Sequence, residues 1–138
     1  MAKDNRTPAQ IVGANVRELR DAKGQSQRRL SELMARLGHR WGDTIVSRVE
    51  RGERAVTVDE LLSLALALGE KPTALLAVGS NSLVVGGHVI PAQLFDEWLG
   101  KSKFSLGLTP DGSGLTKIVT IGQAVEKQQP GAGDEESK

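Results

Sequence analysis

The chain has no cysteine in its 138 residues. This absence excludes a disulfide framework and a thiolate metal site, and it fits a reducing cytosol. Aromatic residues make up 3% of the sequence, so single-strand binding by stacked rings, which uses several aromatic platforms, is disfavoured. The only two histidines, His39 and His88, lie far apart. Neither has a neighbouring cysteine or a nucleophile-elbow context, so no metal site, cofactor or hydrolytic centre is expected. No apolar run approaches membrane-spanning length and the N-terminus lacks a signal-peptide core, which points to a soluble cytoplasmic protein with no membrane partner. Gly100-Lys101-Ser102 has the ending of a phosphate loop, but Phe95 stands where the first glycine is required and a helical pattern precedes it. With 38% hydrophobic residues, a chain of this length can build one small helical domain and a modest extension, not a large enzyme core.

What the sequence does hold is unevenly charged. Residues 1–54 carry twelve Lys/Arg against seven Asp/Glu, a net +5, whereas residues 79–138 carry five against seven, a net −2. A basic first half favours phosphate contact and counterion release, and an acidic end is repelled from a polyanion. Helix signals fill the basic half. Thr7-Pro8-Ala9-Gln10 combines a capping box with proline at the first helical position, and Val12, Val16 and Leu19 continue as a buried stripe towards Lys23-Gly24. Ser26 caps a second helix in which Leu30, Leu33, Met34 and Leu37 share a face, and Gly38 stops it.

A third helix fits Asp43 to Arg51. Ile45, Val46 and Val49 face inward, Asp43, Thr44, Ser47 and Arg48 face outward, and Gly52 closes the end. Thr57-Val58-Asp59-Glu60 repeats the capping box before Leu61, Leu62, Leu64, Ala65 and Leu68. Gly69 ends that helix, and Pro72 opens a fifth reaching about Val78. Two short amphipathic helices around a tight connection, within a bundle of five, read as a helix-turn-helix that binds duplex DNA.

The residues QSQRRLSEL, VSRVERGER and VTVDELLSLALALG resemble the Cro and phage-repressor (Xre) type of helix-turn-helix, over residues 8–78. Gln27 opens the second helix, and small Ser31 stands where close helix crossing favours alanine. The chain departs from the pattern in two places. The connection Gly38-His39-Arg40-Trp41-Gly42 is longer than the family's common turn, and Arg29 replaces an acidic residue.

The resemblance implies a transcriptional regulator. Gln27 at a helix N-terminus suits a phosphate, a role the family also gives it, against the plainer reading of a surface residue that favours helix starts. Arg28, Arg40 and Arg54 are further phosphate candidates. Base edges fall to Asp43, Thr44, Ser47 and Arg48. Arg48 leads because a guanidinium addresses guanine O6 and N7 together, and Asp43 has helix capping as its alternative. The family further implies an ion pair between Arg20 and Glu50. Trp41 reads as an apolar plug under the reading helix.

Beyond Gly79 the spacing turns to strands and turns. Leu83-Val84-Val85 and His88-Val89-Ile90 flank Gly86-Gly87 as a hairpin. Pro91 starts a helix to about Leu99 with Leu94, Phe95 and Trp98 on one face. A second hairpin alternates through Phe104, Leu106 and Leu108, turns at Thr109-Pro110-Asp111-Gly112, and returns through Leu115, Lys117, Val119 and Ile121. From Glu126 the composition predicts a disordered acidic tail.

The expected architecture is therefore mainly α. A five-helix repressor-like DNA-binding bundle (1–78) precedes a small α+β dimerisation appendage (79–125) and the tail (126–138). The appendage is too small to hold much of a core alone, and Val84, Val89, Phe95 and Trp98 are its expected contacts. A non-enzymatic bacterial or phage repressor, binding a palindromic operator as a homodimer, is the leading reading. A protein-interaction module, such as an antitoxin subunit or transcription-machinery adapter that uses the appendage, is the alternative.

Overall fold

The structure is a computed structural model and describes residues 4–101 and 104–119. It divides into two units, Met1–Ala92 and Gln93–Lys138. In the first, helices α1 (Pro8–Ala22), α2 (Gln27–Arg36), α3 (Asp43–Glu50) and α4 (Val58–Leu68) are followed by a 3-10 turn, Pro72–Leu76. Both capping boxes form. Thr7 Oγ1 accepts from the Gln10 amide at 3.2 Å while Gln10 Oε1 accepts from the Thr7 amide at 2.9 Å. Thr57 and Glu60 make the same reciprocal pair at 3.0 and 2.8 Å, satisfying donors that a helix start leaves free.

The core is built from one face of each helix: Val12 and Val16 from α1, Leu30 and Met34 from α2, Val46 and Val49 from α3, Leu64, Ala65 and Leu68 from α4, and Leu75 from the 3-10 turn. Leu62, in the leucine-rich run after the second capping box, is 48% exposed. The inward face of α4 is fixed by residues 61, 64, 65 and 68, and Leu62 falls beside it with Val58 and Leu66, which are 75% and 72% exposed. The fifth helix tightens to five residues. Asn15 Nδ2 donates to the carbonyls of Leu75 and Ala77 at 2.9 and 2.8 Å, so α1 captures the carbonyls that a longer helix would use.

The first hairpin is present as β2 (Ser82–Val85) and β3 (His88–Ile90), with Gly86 and Gly87 at φ 56° and 83° in the turn. It belongs to the same unit as the helices. A two-residue strand β1 (Asn5–Arg6) pairs parallel to β2, held by the Asp4 amide donating to Asn81 Oδ1 at 3.2 Å and the Ser82 amide donating to Asp4 O at 2.9 Å. Two residues have no periodicity, so this bridge leaves no sequence signal. Period two turns Leu83 and Ile90 inward, and the cross-strand pair Val84 and Val89 lies on the opposite face.

The expected helix is short and begins on the last residue of the first unit. α5 (Ala92–Asp96) runs into a wider π turn over Glu97–Lys101, where Gly100 leaves helical geometry. The rings of Phe95 and Trp98 meet edge to face with centroids 5.8 Å apart. The second hairpin pairs β4 (Phe104–Leu108) with β5 (Leu115–Val119) in the register Leu106 to Lys117. At its tip Asp111 Oδ1 accepts from the Thr109 hydroxyl at 2.7 Å and from the Ser113 amide and hydroxyl at 3.1 and 2.8 Å. These bonds hold its carboxyl at about 2. Ile121 and the expected tail lie outside the described residues. No helix among the described residues is long and apolar enough to cross a membrane.

Candidate nucleic-acid interface

The Ser26 hydroxyl accepts from the Arg29 amide at 2.9 Å and sets the start of α2. At its other end Gly38 takes φ 94°, and the His39 amide donates back to Met34 O at 3.0 Å, a left-handed stop that only glycine adopts at low cost. The long connection is filled by Trp41, 7% exposed and part of the core. Its indole N–H donates to Glu60 Oε2 at 3.2 Å, and the Arg54 guanidinium lies 5.2 Å from its ring centroid. Beside it His39 Nε2 lies 2.8 Å from Ser63 Oγ. The longer turn is thus a packed plug on α4.

Helix α3 starts at Gly42, which offers no side-chain cap, so Asp43 follows as the first residue and its charge favours the helix N-terminus. Ser31 Oγ lies 3.5 Å from Asp43 Oδ1 but donates to Arg28 O at 2.7 Å, and one hydroxyl hydrogen serves one of them. Asp43, Thr44 and Arg48 are exposed and Ser47 half-buried, while Val46 and Val49 are buried. The Arg48 guanidinium makes no hydrogen bond or salt bridge with any described residue, and Glu53 feels its charge. Ser47 Oγ accepts from Arg51 Nη1, whose Nε and Nη2 donate to Glu53 at 3.0 and 3.1 Å.

Where α1, α2 and α3 meet, Arg20 Nε and Nη2 donate to Glu50 at 2.6 and 3.1 Å, and Nη1 donates to Gln25 O at 2.7 Å. The hydrogen bond to Glu50 raises the guanidinium pKa above its ordinary value, against burial. Gln27 Nε2 donates to Glu50 Oε1 at 2.9 Å. This bond orients the Gln27 amide at the start of α2 and leaves it a second N–H.

Residues 16–75 match the helix-turn-helix family model. The restriction-modification controller protein C.AhdI from Aeromonas hydrophila is 39% identical, covering 49% of this chain and 94% of that one, with a TM-score of 0.43. This chain is a helix-turn-helix protein of the Xre type. The clp gene regulator ClgR from C. glutamicum is 30% identical over 50% of this chain and 83% of that one, with a TM-score of 0.45. The BldD DNA-binding domain from S. venezulae is 37% identical over 49% and 94%, with a TM-score of 0.40. Among curated proteins there is no match. The family makes the chain a DNA-binding transcription regulator.

Within this helix-turn-helix the expected phosphate residues separate. Arg28 is exposed and lies 3.6 Å from Glu32, a weak surface pair. Arg40 is exposed in the long turn. Arg54 serves the fold: its Nη1 and Nη2 donate to Glu60 at 3.1 and 2.9 Å. With help from the Thr57 amide and the Trp41 indole, that contact lowers the Glu60 carboxyl from 4.5 to about 2. Sequence periodicity carries no signal for this triad, because its members come from a turn, a loop and a helix start.

A carboxylate depressed in the folded state contributes stability that is complete above its unfolded value and lost as pH falls through the folded one. Between pH 4.5 and 2 the Glu60 contribution, on the order of 3 kcal/mol, is expected to vanish. Thermal melts of wild type and Glu60→Gln across this window check it. Parallel pH profiles would refute the Glu60 assignment.

Proposed function

We propose that the protein represses transcription by occupying a two-fold symmetric operator as a homodimer. Helix α3 enters the major groove, Thr44, Ser47 and Arg48 read base edges, and Asp43 sits at the helix start beside them. Gln27, Arg28 and Arg40 hold the phosphate backbone. Arg54 reaches phosphate only through whatever N–H capacity Glu60 leaves. The observation that carries this reading is the outer face of α3, where an exposed guanidinium held by no hydrogen bond or salt bridge among the described residues, that of Arg48, stands one helical turn from exposed Thr44. Residues one turn apart on a short helix scan adjacent base pairs.

Dimerisation is supported by apolar surface left uncovered in the protomer. Val89 is 50% exposed beside its cross-strand partner Val84, and Trp98 is 38% exposed, whereas Phe95 is already buried. Val58, Leu62 and Leu66 add a stripe that sequence reading missed. Bacterial cytoplasm, or that of a phage host, is the compartment this reading implies.

Arg48→Ala is expected to weaken binding to a duplex selected by the wild type from a random pool by about 1–3 kcal/mol, with little change on scrambled duplex. Anisotropy titrations measure both, and stoichiometry with the selected duplex counts protomers. Equal losses on both duplexes would make Arg48 a phosphate contact, and one protomer per selected duplex would remove the dimer.

A further inference from the structure

Arg51 follows Thr44, Ser47 and Arg48 on the same side of α3, yet its guanidinium is occupied. Nε and Nη2 form a two-pronged contact with Glu53 and Nη1 donates to Ser47 Oγ. Glu53 also feels Arg48, and its carboxyl is lowered first by the hydrogen bond from Arg51 and to a smaller extent by Arg48. Its backbone is fixed as well, because the Glu53 amide donates to Arg48 O at 2.9 Å just past Gly52, which has φ 73°. The helix stop therefore turns a carboxylate back over the reading face.

A serine hydroxyl carries one donor and two lone pairs. Accepting from Arg51 occupies a lone pair and leaves the O–H to be given away. Among the described residues Ser47 Oγ donates to no backbone carbonyl, the usual competitor for a helical serine.

We propose that Arg51, clamped by Glu53, is a positioning residue that fixes Ser47 as a hydrogen-bond donor towards one base edge. The contacted base then carries a major-groove acceptor, guanine O6 or N7, adenine N7 or thymine O4, and is not cytosine, which presents an amino donor there. Glu53 has a second effect in this arrangement. It holds the Arg51 charge away from phosphate, trading affinity common to all DNA for direction at a single base. The proposal rests on the reading of α3 as the base-reading helix.

The test is a competition titration of the full-length protein, using the duplex that wild type selects from a random pool, each of its single-base-pair variants, and a scrambled duplex. Ser47→Ala is expected to flatten discrimination at one base pair by roughly five-fold, the worth of one ordinary hydrogen bond. Arg51→Ala flattens the same pair by a similar factor, and the double variant adds little, as coupled residues do. Arg51→Lys keeps the charge but cannot hold Glu53 with two prongs and Ser47 with a third, so it flattens that pair too while keeping affinity for scrambled DNA. Glu53→Gln frees Arg51, raising affinity for scrambled DNA and steepening the salt dependence by about one phosphate contact.

Uniform loss on every duplex for Arg51→Ala, with the Ser47-dependent preference intact, would overturn the proposal and make Arg51 a phosphate contact. If neither Ser47→Ala nor Arg48→Ala changes preference at any base pair, α3 does not read bases and both readings fall together.

Discussion

Replacing Gly13 with alanine is expected to destabilise the protein by about 3 kcal/mol, even though alanine is the better helix former. At this buried position in α1 a Cβ would lie 2.0 Å from Val49 O and 3.1 Å from Glu50 O, both backbone atoms of α3. An interior glycine-to-alanine change gains roughly 0.5–1 kcal/mol in helix propensity. Overpacking against an unyielding backbone costs about 1–3 kcal/mol and at times more, so the steric term wins. The helix that must move carries Thr44, Ser47 and Arg48, and specific DNA affinity is expected to fall with stability. Gly42→Ala is the control, since nothing lies within 4 Å of its Cβ. Chemical denaturation of the two variants decides the matter. Equal, small changes would mean that α1 and α3 do not touch at Gly13.

Glu50→Ala is expected to cost about 3–5 kcal/mol, because it leaves the Arg20 guanidinium, only 8% exposed, without its two-pronged partner. Arg20 keeps its bond to Gln25 O and an ion pair from Nη1 to the exposed Asp21 carboxylate at 3.3 Å, a solvent-screened contact that compensates little of the buried charge. The loss comes from the stranded charge more than from the worth of the pair, so the double variant Arg20→Met, Glu50→Leu is expected to recover much of the stability. It also frees Gln27, whose amide Glu50 orients, and a refolded double variant is expected to bind all DNA more weakly. Denaturation midpoints for the single and double variants test this. A loss below about 1 kcal/mol for Glu50→Ala would mean that the pair is solvated and not structural.

Local chemistry made much of the fold legible. Both capping boxes, the glycine stops at 38 and 69 and both hairpin turns are short-range devices, and their residue types specify a conformation within a few positions. The inward faces of α1 to α3 followed from 3.6-residue spacing except at Leu37, which caps the end of α2 and is 40% exposed, and the pair between Arg20 and Glu50 followed from resemblance. What stayed hidden joins residues distant in sequence. Asn5 and Arg6 pair with β2 through backbone bonds indifferent to side-chain type. Arg54, an expected phosphate contact, also engages Glu60 and Trp41, which no local pattern links to it. Gly13 carried no turn signal, since its reason is the approach of α3. On the outer side of α3, Thr44, Ser47 and Arg48 were readable as a polar face, but the contact between Arg51 and Glu53 was hidden because it folds back across the helix stop at Gly52.

Sequence-specific recognition is the central claim, and fluorescence-anisotropy titration at two salt concentrations tests it most directly. The ligands are the duplex selected by the full-length protein from a random pool and a scrambled duplex of equal length. The account predicts that the selected duplex binds at least about a thousand-fold more tightly and keeps most of that preference at the higher salt. Equal, weak affinities that fall together with salt would contradict it.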